Sequence, residues 1–407
     1  MSALSVHEVV ITGVGLVSSL AEGADANYAL LREGAAPVYD RDALAPFPIH
    51  PLPALDYGKL IPKKSDQRQM EPWQRLGVYA AGLALQDGGV LGDVGVLSRT
   101  HMIVAAGGGE RDIAVDEAIM TGVRVANDRG AYLNEQLSNN LRPTLFLAQL
   151  SNLLAGNISI VHGVAGSSRT FMGEEPAGLD ALGTMAARIR AGDVDIGLVG
   201  AAYSSARPDM SLLFGFAGSL LSGEPAGVWS RAARGGGMIL GSIGAFLLLE
   251  SRAHALARGA RIASVVGPVL SDRSNRQPGA AAGNARRQWS TIEGSLAPGP
   301  MGLLSGATGV EPITAEERAF LAEVGARRDI YVRATGARIG HGMEAAVPAN
   351  VGLAALALRE GGYFPPFESG TVEREAAEPP SQIVVTSFGH WRGEGMVLIQ
   401  SDRGGQA

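Results

Sequence analysis

Along this chain, apolar runs of strand length alternate with stretches in which apolar residues return every three or four positions. Val9-Val10-Ile11-Thr12 runs into Gly13-Val14-Gly15, His101 to Ala105 into Gly107-Gly108-Gly109, and Asp195 to Val199 into Gly200. Each pattern predicts a buried strand that ends in a glycine turn. Between these runs, 73–91, 145–154 and 176–190 carry the periodicity of a helix with one face in the core. In the last of them Leu179, Leu182, Met185, Ala186 and Ile189 form the stripe. Pro176 suits the first helical turn, where its missing N–H costs nothing. A second series follows Glu250: strand 262–266, helix 315–324, strand 329–333, helix 344–358, then strands 382–386 and 396–399. The two series echo each other. Residues 271–299, rich in Arg, Gly, Ala and Pro, read as a long loop with room for one short helix, and 368–380 as a surface loop.

Length agrees with a doubled architecture. The chain has 407 residues, 46% of them hydrophobic, and chains beyond roughly 250–300 residues tend to divide into two cores. The expected halves are 1–250 and 251–407. Abundant glycine (56 residues) with few aromatics suggests the close turns of an α/β fold. A formal net charge of -6 without any block of Lys and Arg argues against a nucleic-acid partner. Residues 1–10 lack the basic and apolar pattern of a signal peptide, and no apolar run reaches the ~20 residues that span a bilayer. The expectation is a cytoplasmic protein without a membrane partner.

Candidate chemistry narrows the picture further. The chain contains no cysteine, so disulfides, thiolate metal sites and a cysteine nucleophile are all excluded. The segment Thr12 to Ser18 invites a dinucleotide-binding reading. It lacks the third glycine and the acidic residue about 20 positions on, so a tight packing turn is the better account. His7, His50, His101, His162 and His254 read as residues of strand edges or loops without a spaced acidic or histidine partner. No metal ligand set is expected, nor any cofactor.

Several separated segments together resemble the β-ketoacyl synthase family, in the family's order. They are the run from Val9 to Val17, Asn152-Leu153-Leu154-Ala155-Gly156-Asn157, Gly192-Asp193-Val194-Asp195-Ile196, and Leu248-Leu249-Glu250 with Arg258-Gly259-Ala260-Arg261-Ile262. Gly340-His341-Gly342-Met343-Glu344-Ala345-Ala346 and Ser387-Phe388-Gly389 complete the set. The resemblance implies the thiolase fold: two pseudo-symmetric βαβαβαββ halves stacked in five layers, α-β-α-β-α. It also implies a dimer, with strands paired across it near Arg169 to Gly173.

Condensing members of that family carry a cysteine at a buried helix N-terminus, where the helix dipole favours thiolate, and two histidines that assist decarboxylation. Counting from Gly192-Asp193 and Gly178, the cysteine position falls on Glu175, or on Glu174 if the alignment slips by one. The first histidine falls on Gly306, the second on His341, and the lysine shortly before the second on Gly336. The family's Phe-Gly-Phe-Gly-Gly becomes Phe388-Gly389-His390-Trp391-Arg392. A carboxylate is a poor substitute for the nucleophile, because attack through it gives a mixed anhydride. The catalytic list is therefore empty, and Glu175, Gly306, His341, Phe388 and His390 are degenerate active-site positions. His341 reads more readily as a hydrogen-bonded structural histidine than as a base, and Glu175 has a simple alternative as a residue answering the helix dipole. Glu110 to Ile113, after Gly107-Gly108-Gly109, fall where relatives border the acyl tunnel, although a solvated loop is nearly as good a reading.

The resemblance implies a non-catalytic subunit of the chain length factor type. Such a subunit pairs with an active ketosynthase, meets acyl carrier protein through that complex, and shapes the tunnel in polyketide, polyene or fatty acid-like biosynthesis. The alternatives are a malonyl decarboxylase supplying a starter unit and an acyltransferase reusing the pocket.

Overall fold

The computed structural model describes residues 7–141, 145, 149–370 and 372–402. Its strands, in chain order, are β1 (Val9–Val17), β2 (Ile49–His50), β3 (His101–Ala105), β4 (Ser168–Phe171), β5 (Ile196–Tyr203), β6 (Leu240–Gly241), β7 (Ile243–Ser251), β8 (Ser264–Asp272), β9 (Met301–Ser305), β10 (Ile330–Ala334), β11 (Gln382–Phe388) and β12 (Glu394–Gln400). Ten of them form one run in the order β10-β9-β11-β12-β8-β1-β7-β5-β3-β4, while β2 pairs with β6.

That order contains the expected repeat. Read outward from the middle, β1, β7, β5, β3, β4 and β8, β12, β11, β9, β10 use the first, fifth, fourth, second and third large strands of each half. The halves meet where β1 lies antiparallel to β8, with Val10 opposite Val265 and Ile11 opposite Ser264. Within each half the final strand runs antiparallel to its neighbours, as β7 does between β1 and β5. The remaining pairs, such as β3 with β5 and β9 with β11, are parallel.

Three layers of helix enclose the strands. Helices Glu174–Arg190 and Ala346–Arg359 lie in the middle and touch strands of both halves. Helices Pro72–Asp87 and Leu153–His162 cover one outer face, and Ala280–Glu293 and Ile313–Gly325 the other. The 346–359 helix is buried from Val347 through Leu358, the pattern of a helix without a solvent face. This is the α-β-α-β-α stack of the thiolase fold.

Several boundaries differ from the sequence reading. β1 and β5 run straight through Gly13, Gly15 and Gly200 instead of ending there. The glycines serve close packing: a Cβ on Gly13 or Gly15 would stand 2.3 or 2.0 Å from the carbonyl oxygens of Ala84 and Ala80. The helix expected at 73–91 ends at Asp87. The one expected at 145–154 lies partly outside the described residues, and the observed helix is Leu153–His162. Residues 280–293, expected to be mostly loop, form a 14-residue helix. Its buried stripe is Ala281, Ala282, Ala285, Trp289 and Ile292, and small alanines give a weak hydrophobic signal among arginines.

The histidine reading also needs correction. His162 ends a helix and is buried, with Nε2 2.8 Å from the Val78 carbonyl. His254 does have a spaced acidic partner, since its Nδ1 lies 2.6 Å from Glu250 four residues earlier. Among the described residues, no helix is long and apolar enough to cross a membrane.

Candidate functional site

The site is built at the head of the central 174–190 helix. Gly173 precedes it at φ 129°, and Glu174, although not glycine, takes φ 53°. A side chain in the left-handed region costs on the order of 1–3 kcal/mol. This sharp turn after β4 sends the next residue, Glu175, inward, where it is 1% exposed.

Two histidines from distant segments meet Glu175. His341 Nε2 lies 2.8 Å from Glu175 Oε1, and His390 Nδ1 lies 2.9 Å from the same oxygen. The backbone N–H of His390 donates to it as well, at 2.9 Å. An ionised carboxylate only accepts, so both ring nitrogens act as donors. Burial alone would raise the Glu175 pKa, but His390 and His341 outweigh it and hold the group well below the ordinary value. For His390, burial pulls downward, and the Glu175 and Glu174 carboxylates override it to leave the imidazole raised. Glu175 and His390 therefore favour each other's charged forms, with His341 as a further donor to the carboxylate.

Separate elements hold each histidine. The His341 N–H donates to the Ile239 carbonyl and the His341 carbonyl accepts from Gly241, which docks the segment on β6. His390 sits in a turn closed from Gly389 N–H to the Gly393 carbonyl. Arg276 spans this turn, donating to the carbonyls of Gly389 (2.7 Å) and Trp391. The Phe214 ring packs edge-on against His390 with centroids 5.2 Å apart. Neither Arg276 nor Phe214 carried a sequence signal, since each acts through a contact between segments more than 100 residues apart.

Gly306 and Gly336, where the resemblance implies a missing histidine and lysine, adjoin little free space. A Cβ on Gly306 would lie 2.7 Å from the Thr386 carbonyl oxygen. Gly306, Gly336 and His341 border a void of only about 10 Å³, roughly the space of one water. Below it Glu317, fully buried, accepts from Ser305 (2.7 Å) and Thr386 (2.6 Å). Burial pushes its pKa up to about 7. Phe388 is not brought to Glu175: its ring stacks on Phe320 in the core.

Beside the helix head lies a cavity of about 300 Å³ lined by Trp73, Met172, Tyr203, Phe214, Met343 and Glu344, among others. Glu344 receives the Glu174 N–H at 3.3 Å, and burial, with the Glu175 and Glu174 charges adding, raises its pKa to about 7. Gly107 and Gly108 line the same cavity, whereas Glu110 and Ile113 do not. Arg207 ties this loop down, donating to the carbonyls of Gly108 (3.0 Å) and Gly109 (2.9 Å) and pairing with Asp209. Glu110 is half-buried, and burial lifts its pKa to about 7.

Residues 7–255 match the model of the β-ketoacyl synthase N-terminal domain. The chain is 28% identical over 275 residues to 3-oxoacyl-[acyl-carrier-protein] synthase 2 of Vibrio cholerae, covering 65% of this chain and 63% of that protein. It is 29% identical over 293 residues to the Rhizobium meliloti protein of the same name, covering 65% and 64%. These matches thus span less than two thirds of the relatives' own length. Among solved structures, the ishigamide ketosynthase/chain length factor superposes with a TM-score of 0.77 at 22% identity, covering 97% of this chain and 99% of that one. A β-ketoacyl synthase from Burkholderia phymatum gives 0.76 at 19%, covering 97% and 100%. At such identities the structural likeness speaks for the fold.

Proposed function

Because the chain belongs to the β-ketoacyl synthase family, we propose that it is a cysteine-less partner subunit of the chain length factor type. In this reading it pairs in the cytoplasm with an active ketosynthase, meets acyl carrier protein through that complex, and shapes the acyl tunnel in polyketide, polyene or fatty acid-like biosynthesis. The observation that carries it is the state of Glu175. Where condensing relatives place a nucleophile, this chain has a carboxylate already bonded on one oxygen by three donors. No thioester can form there.

The decarboxylase alternative meets an electrostatic obstacle. Glu175 is held ionised, and a malonyl carboxylate about 4 Å away is repelled by about 1 kcal/mol in water and about 4 kcal/mol at an effective dielectric near 20. The stabilising imidazole is also absent at Gly306. An acyltransferase would have only His341 and His390, both engaged by Glu175.

The division into 1–250 and 251–407 belongs to the same proposal and is supported by the repeated strand order. So does an acyl-tunnel role for 110–113, through the loop that borders the cavity. The test is co-expression with a synthase that keeps its cysteine and both histidines. A one-to-one complex is expected, with acyl groups found by intact mass on the partner alone. Enlarging Ile113 or Glu110 should then alter product length without altering partner acylation. An acyl adduct on this chain, or unchanged product length in every variant, would refute the proposal.

A further inference from the structure

The geometry at the head of the central helix points to a use outside condensation chemistry: we propose that Glu175, His341 and His390 form a binding site for one zinc-type transition-metal dication. The inference is independent of the subunit role argued above. One carboxylate oxygen and one nitrogen from each ring lie within 4.8 Å of one another, and all three residues are buried. Two imidazoles and a carboxylate are a donor set that holds zinc with a fourth position open. Among the described residues no other such trio comes together, and the chain has no thiolate to compete.

A second observation is the other carboxylate oxygen. Glu175 Oε2 is buried without a hydrogen-bond partner, an arrangement that costs free energy unless a positive group takes it up. A cation bound beside Oε1 would be shared by both oxygens. A third is the setting of His390, whose remaining ring nitrogen, Nε2, lies 3.8 Å from Glu174 Oε1. At that distance the carboxylate is too far to hydrogen-bond the ring, but its negative charge still favours a cation bound at the other ring nitrogen.

The frame is already rigid. His341 is docked on β6 through backbone bonds, and Arg276 fixes the turn on both sides of His390. A tetrahedral ion with bonds of about 2.0–2.1 Å separates its ligand atoms by about 3.3 Å. The existing separations of 2.8 and 2.9 Å from Glu175 Oε1 must widen by about half an ångström. When the metal enters, each coordinating nitrogen gives up its proton, to solvent or to the other nitrogen of its ring, and presents its lone pair instead.

The experiment uses the full chain stripped with a chelator, titrated with Zn²⁺ or Co²⁺ alone, and passed through gel filtration before metal analysis. One equivalent per chain is expected, with the visible absorption of low-coordinate cobalt. His390→Phe, His341→Gln and Glu175→Gln should each weaken binding at least tenfold while the surface control His101→Gln leaves it unchanged. Zinc X-ray absorption on the unaltered protein needs no variant to fold, and it should show two imidazoles with oxygen ligands. Substoichiometric metal, binding indifferent to the three substitutions, or a zinc shell with fewer than two imidazoles would each overturn the proposal.

Discussion

At the scale of single residues, the buried carboxyls divide by their partners. Glu175 has strong donors and stays ionised, whereas Glu317 has two hydroxyls and is pushed up to about 7 from an ordinary 4.5. Between those pH values the folded state holds a proton on Glu317 that the unfolded chain has lost, so stability falls as pH rises from about 4.5 to about 7 and then levels off. At 1.36 kcal/mol per unit this amounts to roughly 3 kcal/mol. Glu317→Gln stays neutral throughout. Denaturation of both proteins at pH 5 and pH 8 should show the variant gaining about 3 kcal/mol relative to the parent over that interval; a constant difference would contradict the assignment. A second residue-scale prediction concerns Glu175→Cys. The thiol would sit at the right helix end, yet Gly306 still lacks an imidazole, and groups that act as a unit fail together. Condensation should remain undetectable by product analysis, and adding Gly306→His should not rescue it, because the Thr386 carbonyl stands where its Cβ must go.

At the scale of elements, one glycine decides how the two middle helices fit. Gly178 lies in the first turns of the 174–190 helix, and a Cβ there would meet the Glu344 carbonyl oxygen at 2.1 Å and Pro348 Cδ at 3.1 Å. In an isolated helix, alanine for glycine would gain about 1 kcal/mol. Here the obstacle is backbone, which cannot turn aside like a side chain, and overpacking of this kind costs about 1–3 kcal/mol or more. The second effect wins, so Gly178→Ala should lower the melting temperature and disturb the cavity beside Glu344. An unchanged or raised melting temperature would show that the helices separate more easily than their packing implies.

At the scale of the molecule, β4 ends the sheet order. Its outer edge offers unpaired backbone groups to another chain, and Met172 just beyond it is exposed, as are Ile160, Met120 and Val125. Stable obligate interfaces commonly bury more than about 2,000 Å², and an apolar surface left uncovered favours association. Expressed alone, the chain should be poorly soluble or form a weak homodimer that dissociates on dilution, as sedimentation would show. A monomer that stays monomeric at high concentration would argue against a partner on this edge.

Much of this organisation was legible before any coordinates. Apolar runs located most of the large strands, because burial on both faces writes itself into continuous apolar residues, and the fold was implied by the resemblance that the ordered motifs from Val9 to Gly389 carry. The missing cysteine and the glycine at 306 were equally plain. The 280–293 helix was hidden because alanine fills its core face, and the continuity of β1 and β5 because glycine signals a turn and a close approach with the same letter. The resemblance already implied one site for Glu175, His341 and His390, but not that they would bond to one another: the 2.8 and 2.9 Å contacts exist only because the middle helix, β6 and the turn after β11 converge. Local pattern determined the elements, and the absence of cysteine excluded a thiolate nucleophile. Which charges became partners was decided by tertiary packing, since the energy of a buried ion pair depends on distance and burial that no spacing along the chain encodes.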